Sequence, residues 1–472
     1  MTRRARAVEL SAATLACATY APHALAASGG FNGAGLSPLW AIPFVGLLLS
    51  LALWPIFAAD FWHHHYGKIT AAWSIAFLTP FVLRFGAGEA LYQVVHVLLL
   101  EYLPFVILLF ALYTIAGGIA LRGTLVGTPQ LNAGLLALGT LLASLMGTTG
   151  AAMLLIRPLL RANEARAHKV HLVVFFTILV ANVGGALSPL GDPPLFIGFL
   201  KGVDFFWTTR ELALPTLLLS GSLLAMFYAL DSWFWRRERV PMPTVREPLA
   251  IDGAFNFLLI AGVVGEVLLS GLWKPSVAFD IAGTPWQLQN LQREVALVAL
   301  ALLSLWLTPR AVRAANDFNW APIAEVAKLF AGIFLTIIPV IVVLQAGKQG
   351  ALHALVDLVT DPVTGAPHHL MYLWTTGLLS AFLDNAPTYL VFFNLAGGDA
   401  TTLMGPMKPT LTMISAGAVY FGALTYVGNA PNFMVKAIAE ERGVAMPSFF
   451  VYFAYAAVIL TPLFVILTWL YR

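Results

Sequence analysis

Charge is scarce in this sequence. Of its 472 residues only 10% are Asp, Glu, Lys or Arg, against about 25% in an ordinary soluble domain. A soluble fold of that length has no way to cover the 59% that are hydrophobic. Cysteine is rarer still: Cys17 stands alone, which excludes a disulfide framework and any cysteine-based metal cluster. No basic face with interleaved aromatics is present, which argues against a nucleic-acid partner. A Walker-type phosphate loop is missing, so ATP drive has no support. The short segments of alternating polarity that mark a membrane β-barrel are missing as well. The net charge of +3 reflects basic residues in loops and says little about partners.

What fills the chain is apolar runs long enough to cross a hydrocarbon core, about 20 residues each. They fall at 39–58, 69–84, 102–121, 170–200, 211–231, 253–271, 293–308, 329–346, 408–437 and 449–470. The fold class that follows is an all-α polytopic membrane protein. Arg3, Arg4 and Arg6, the apolar stretch Leu10 to Tyr20, and Ala24-Leu25-Ala26 follow the order of a cleavable signal peptide over 1–27. An uncleaved amphipathic N-terminus is the alternative. Residues 28–68 then carry the first transmembrane segment.

Two further apolar segments, 132–160 and 370–396, are interrupted at their centres by polar or helix-breaking residues. Lys and Arg cluster at Lys68, Arg157 to Lys169, Arg236 to Arg246, Arg310 to Arg313 and Lys436 to Arg442. Short basic loops prefer the cytoplasm, and these alternate correctly only if each interrupted segment enters and leaves on one side. The pattern predicts two re-entrant hairpins of opposite orientation. Inverted repeat 1 spans 69–235, a cytoplasmic linker 236–252, and an extra helix with inverted repeat 2 spans 253–472. Each repeat holds a hairpin and a broken helix, at 170–200 and 408–437. Amphipathic segments near 88–100 and 317–328 are expected in the interface.

The repeats leave a trace in the residues. The hairpin tips read Gly147-Thr148-Thr149-Gly150-Ala151 and Leu383-Asp384-Asn385-Ala386-Pro387. The broken helices carry Gly191-Asp192-Pro193-Pro194 and Gly428-Asn429-Ala430-Pro431. Asp384 follows Thr148 by 236 residues and Gly428 follows Gly191 by 237. Inverted repeats of this kind place a transport site at the midplane between them.

Backbone freed at a membrane helix break must be satisfied by protein, water or a ligand. Thr148, Thr149, Asn182, Ser188, Asn385, Thr388 and Asn429 offer neutral oxygens there, and Asp192 and Asp384 offer carboxylates. Oxygen ligands suit a hard cation such as sodium, while helix N-termini at the breaks suit an anion. An intramembrane carboxylate is a functional hypothesis by default, and one carboxylate can hold either a proton or a cation. The competing reading for Asp192 is a helix cap before Pro193-Pro194; Asp384 reads less well as a cap. Elsewhere the bland readings are favoured. Glu266 packs against a neighbouring helix's polar group or sits near the outer interface, Arg157 snorkels to the membrane surface, and His63-His64-His65 lies in an interfacial loop.

These residues resemble the ion-transporter superfamily, which holds citrate carriers, sodium-coupled dicarboxylate carriers, arsenite permeases and NhaD-type sodium/proton antiporters. The likeness rests on Thr148-Thr149, Asn182 to Gly185, Ser188 to Asp192, Asp384 to Pro387 and Val427 to Pro431, and covers nearly the whole chain. It implies a scaffold domain, a transport domain holding both hairpins and both broken helices, elevator-like movement, and a homodimer in a bacterial-type inner membrane. Dicarboxylate carriers carry Ser-Asn-Thr at their tips, which this chain lacks; its Asp-Asn-Ala-Pro tip is similar to the antiporter branch. The expectation is a secondary active transporter, not an enzyme and without a cofactor, in which Asp384, with Asp192, exchanges sodium ions for protons. The alternative is a citrate or related carboxylate carrier coupled to sodium, protons or a divalent metal.

Overall fold

A computed structural model describes residues 31–240, 247–362 and 364–472. The expected signal peptide and part of the 236–252 linker lie outside the described residues. Among those described, seven helices are long and apolar enough to cross a membrane, or eight if the pair Ala321–Thr336 and Ile338–Gln345, bent by 43°, counts as one span. The chain is an all-α polytopic membrane protein. Burial sorts the spans: Pro38–Phe57, Leu288–Leu307 and Phe449–Leu470 are each 28% buried, whereas Val170–Leu187 is 83% buried and forms the centre.

The segment 132–160 is a pair of helices, Pro129–Met146 and Thr148–Ala162. Thr128 caps the first through Leu131 N, with Pro129 behind it. Gly147 then reverses the chain at φ +79, a conformation that costs glycine little. The segment 370–396 is a second pair, His369–Phe382 and Asn385–Leu395, joined through Leu383 and Asp384. The first pair packs tightly. A Cβ on Gly139 would stand 2.7 Å from the Val180 side chain, and one on Gly150 would stand 2.9 Å from the Ala116 Cβ. Small residues permit that close approach.

Both expected broken helices are broken. The first runs Val170–Leu179, a 3-10 turn Val183–Leu187, then Pro193–Leu200. The second runs Lys408–Phe421, a 3-10 turn Gly422–Leu424, then Ala430–Glu441. At each break two glycines face one another. A Cβ on Gly191 would collide with Gly185 O, and one on Gly428 would stand 2.5 Å from Gly422 O.

Several expectations are corrected. His63, His64 and His65 are helical, within Ala59–Phe85, rather than in a loop. His64 and His65 turn Nδ1 to the carbonyls of Asp60 and Phe61, so local bonds hold the run in the helix. The segment 88–100 does not stand apart: Ala87–Val97 continues through a π-helical turn, Leu98–Tyr102, into Leu103–Ala116. Part of 317–328 likewise opens the helix Ala321–Thr336. Arg157 does not snorkel; it is 7% exposed, and its Nε donates to Asp317 Oδ2 at 3.0 Å. The sequence reading also missed two short antiparallel strand pairs, Ala120–Arg122 with Ala250–Asp252 and Ala278–Ile281 with Thr284–Gln287.

Candidate functional site

Asp192 stands between the first break and the helix Pro193–Leu200. The residue before a proline is pushed toward extended backbone, and Asp192 adopts φ −141, ψ 140. From there its side chain makes no bond to the helix it precedes. It accepts instead from Asn385 Nδ2 at 2.7 Å on one oxygen and from Asn429 Nδ2 at 2.9 Å on the other. Thr148 Oγ1 reaches that second oxygen at 3.5 Å. The first hairpin is seated on the break by its backbone, since Thr148 N donates to Gly191 O at 2.9 Å. One carboxylate thus gathers both hairpin tips and both breaks.

Asp192 is 1% exposed and Asp384 8%. Neither takes part in any ion pair among the described residues. A buried carboxylate without a cationic partner is costly and must be offset by hydrogen bonds, a proton or a cation. Asp384 is placed differently. It caps the helix Asn385–Leu395, its Oδ1 accepting from Ala386 N at 3.0 Å. Of the two competing capping readings, the structure shows the one for Asp384 and not the one for Asp192.

Neutral amides brace the centre. Asn182 Nδ2 donates to Thr177 O and to Asn432 Oδ1, each at 2.8 Å. Asn429 Nδ2 also reaches Ala181 O at 3.0 Å. Two buried amide oxygens here, Asn182 Oδ1 and Asn385 Oδ1, have no hydrogen-bond partner among the described residues. Buried polar atoms are rarely left so, and these are acceptors a cation can use.

A family profile described as "Putative citrate transport" matches residues 33–472. The chain belongs to that citrate-transport family. It is also similar to an uncharacterized transporter of the cyanobacterium Synechocystis, at 24% identity over 298 residues. That alignment covers 57% of this chain and 61% of the relative, so the chain matches less than two thirds of the relative's length. Membership agrees with the resemblance to the ion-transporter superfamily. The chain is a multi-pass membrane protein of that family.

Within this citrate-transport fold the residues named from the sequence divide into two groups. Thr148, Asp192, Asn385 and Asn429 meet at one point, with Asn182 one residue removed through Ala181 O. Ser188 instead donates to Ser144 O and accepts from Leu190 N, so it fastens the break to the hairpin. Thr388 Oγ1 donates to Asp384 O at 2.9 Å, and half-buried Thr149 makes no side-chain hydrogen bond among the described residues. Glu266 accepts from Gln292 Nε2 at 2.6 Å, the neighbouring-helix contact expected for it. Sequence reasoning passed over two residues, Asn432 and Ser144. Asn432 Nδ2 donates to Gly422 O and Thr425 O across the second break, and Ser144 precedes Ser188 by 44 residues, as Ala381 precedes Thr425.

Proposed function

We propose that this transporter exchanges sodium ions for protons by alternating access, with Asp192 as the exchanging carboxylate and Asp384 beside it at the second tip. The observation that carries the reading is a fully buried Asp192 whose partners are all neutral. Its charge is offset either by a proton or by a cation entering among the amide and hydroxyl oxygens. Each ion excludes the other, which is the minimum chemistry of an antiporter. The unpartnered oxygen of Asn385 supplies a sodium ligand next to the carboxylate, to which the Thr148 hydroxyl donates. On this reading the two hairpins and broken helices are inverted repeats that move together past a scaffold, in a homodimer of the inner membrane.

A second reading has one observation in its favour besides the family's description. The helix Thr148–Ala162 starts at Gly147 with no side-chain cap, and uncapped helix amides receive anions. Carriage of citrate or a related carboxylate, coupled to sodium, protons or a divalent metal, would use that terminus. Purified protein in proteoliposomes holding a pH-sensitive dye separates the two. A pulse of NaCl, against choline chloride, is expected to drive proton flux that is lost in Asp192→Asn. Silence to sodium with saturable uptake of labelled citrate would transfer the site to the carboxylate carrier.

A further inference from the structure

Away from Asp192, arginines from three parts of the chain converge. A cavity of about 240 Å³ is lined by Arg122, Gly123, Thr124, Arg161 and Glu247. A smaller, more enclosed one of about 30 Å³ adjoins it through the shared Arg122 and Arg161, and adds Arg157, Arg442 and Asn316. Arg122 ends the strand Ala120–Arg122, Arg157 and Arg161 lie on the return arm of the first hairpin, and Arg442 follows the helix Ala430–Glu441.

The acids nearby satisfy these groups only in part. Arg122 pairs with Asp252, and Glu247 borders only the wider cavity. Arg161 donates to Leu121 O at 2.5 Å. Exposed Arg442 takes part in no ion pair among the described residues. Arg157 is 7% exposed and binds Asp317 through Nε, yet one of its terminal nitrogens, Nη1, is buried without a partner among the described residues. The described residues that line the enclosed cavity include four arginines and no acid, and only Arg122 and Arg157 have a carboxylate partner, each from outside that lining. Like charges converge at a cost unless an anion joins them, and an unpartnered buried donor adds to it. The planar donors of arginine match phosphate oxygens two at a time.

We propose that the paired cavity binds a phosphate-bearing anion, held by Arg122, Arg157, Arg161 and Arg442. The phosphate group occupies the arginine-lined end and the remainder of the molecule the wider one. Two sources share this chemistry, the phosphodiester of an anionic lipid and free phosphate. Arg157 and Arg442 belong to two of the chain's basic clusters, which prefer the cytoplasmic side, where anionic headgroups attract such groups. The occupant would tie the first hairpin to the strand pair and to the end of the second broken helix.

The test uses the full chain, delipidated in detergent and examined by native mass spectrometry against cardiolipin, phosphatidylglycerol and phosphatidylcholine. Inorganic phosphate is added in a parallel thermal-shift series. Arg161→Gln and Arg442→Gln alter exposed side chains, and their unfolding temperatures confirm that they fold. Anionic lipid is expected to be retained over phosphatidylcholine, with affinity about tenfold lower in either variant, the size of one lost charge-assisted bond. Stabilisation by inorganic phosphate with the same sensitivity, without lipid preference, supports the site and assigns it to free phosphate. Equal retention of all three lipids without a phosphate effect, or binding unchanged in both variants, overturns the proposal.

Discussion

The two breaks are built alike and loaded differently. A displacement of 237 residues carries Gly185 onto Gly422, Ser188 onto Thr425, Gly191 onto Gly428 and Asp192 onto Asn429. The bonds follow: Ser188 Oγ donates to Ser144 O as Thr425 Oγ1 donates to Ala381 O, and each hydroxyl accepts from the residue two further on. Asp192 and Asn429 share one extended backbone conformation without a side-chain cap, and they hydrogen-bond to each other. Yet the first half carries its carboxylate on the break, and the second carries it on the hairpin tip. There Asp384 occupies the position of Gly147. Interrupting a buried helix demands the same glycines and hydroxyls in both halves. The carboxylate is free to move, and its job changes with its place.

The largest expected effect comes from erasing that difference. Asp192→Asn puts an amide at both breaks and is expected to reduce sodium-driven proton flux in proteoliposomes to the protein-free background. The exchanged pair, Asp192→Asn with Asn429→Asp, restores a single carboxylate in contact with the same neighbour and is expected to recover measurable flux. Full flux in Asp192→Asn would show that the carboxylate on the first break carries no charge in transport.

Asp384 separates capping from chemistry. Asn is about as good an N-cap as Asp, whereas Ala costs about 1 kcal/mol. Asp384→Asn should therefore unfold at the wild-type temperature and Asp384→Ala below it. Loss of flux in both variants gives Asp384 a charge-dependent role; loss in Ala alone leaves it a cap. A smaller contrast lies in the hydroxyls. Ser188→Ala and Thr425→Ala each remove a buried donor–acceptor link and should each lower stability by about 1–3 kcal/mol. Unequal losses would show that the two breaks are not held alike.

The sequence made the breaks legible because glycine, proline and hydroxyl residues mark them locally. The helix pairs within 132–160 and 370–396 were legible because polar and helix-breaking residues interrupt each apolar segment at its centre. The division of labour between the carboxylates was not. Asp before Pro-Pro reads as a cap wherever its side chain turns, and the residues that draw Asp192 away lie 193 and 237 positions later. Arg157 was misread for the same reason: position alone suggests snorkelling, and its partner Asp317 is 160 residues distant. The histidine run has no apolar period to announce a helix, and the strand pair Ala120–Arg122 with Ala250–Asp252 spans the chain too widely for a local signal.

The finest comparison is between the equivalent tip residues Thr148 and Asn385, which reach opposite oxygens of the same carboxylate. Asn385 does so at 2.7 Å and Thr148 at 3.5 Å, the limit of a hydrogen bond. A bond to a charged acceptor contributes about 1.5–3 kcal/mol, or roughly tenfold to a hundredfold in an equilibrium constant. Asn385→Ala is therefore expected to shift the apparent sodium affinity by at least about tenfold. Thr148→Val keeps the shape of the side chain and gives up a contact already stretched, so a shift of only a few-fold is expected. Serine at 148 should match wild type. If Thr148→Val instead equals or exceeds Asn385→Ala, the threonine oxygen is acting as a ligand to the ion rather than as a donor to Asp192. The two tips would then contribute in different ways: one by coordinating the cation, the other by holding the carboxylate that meets it.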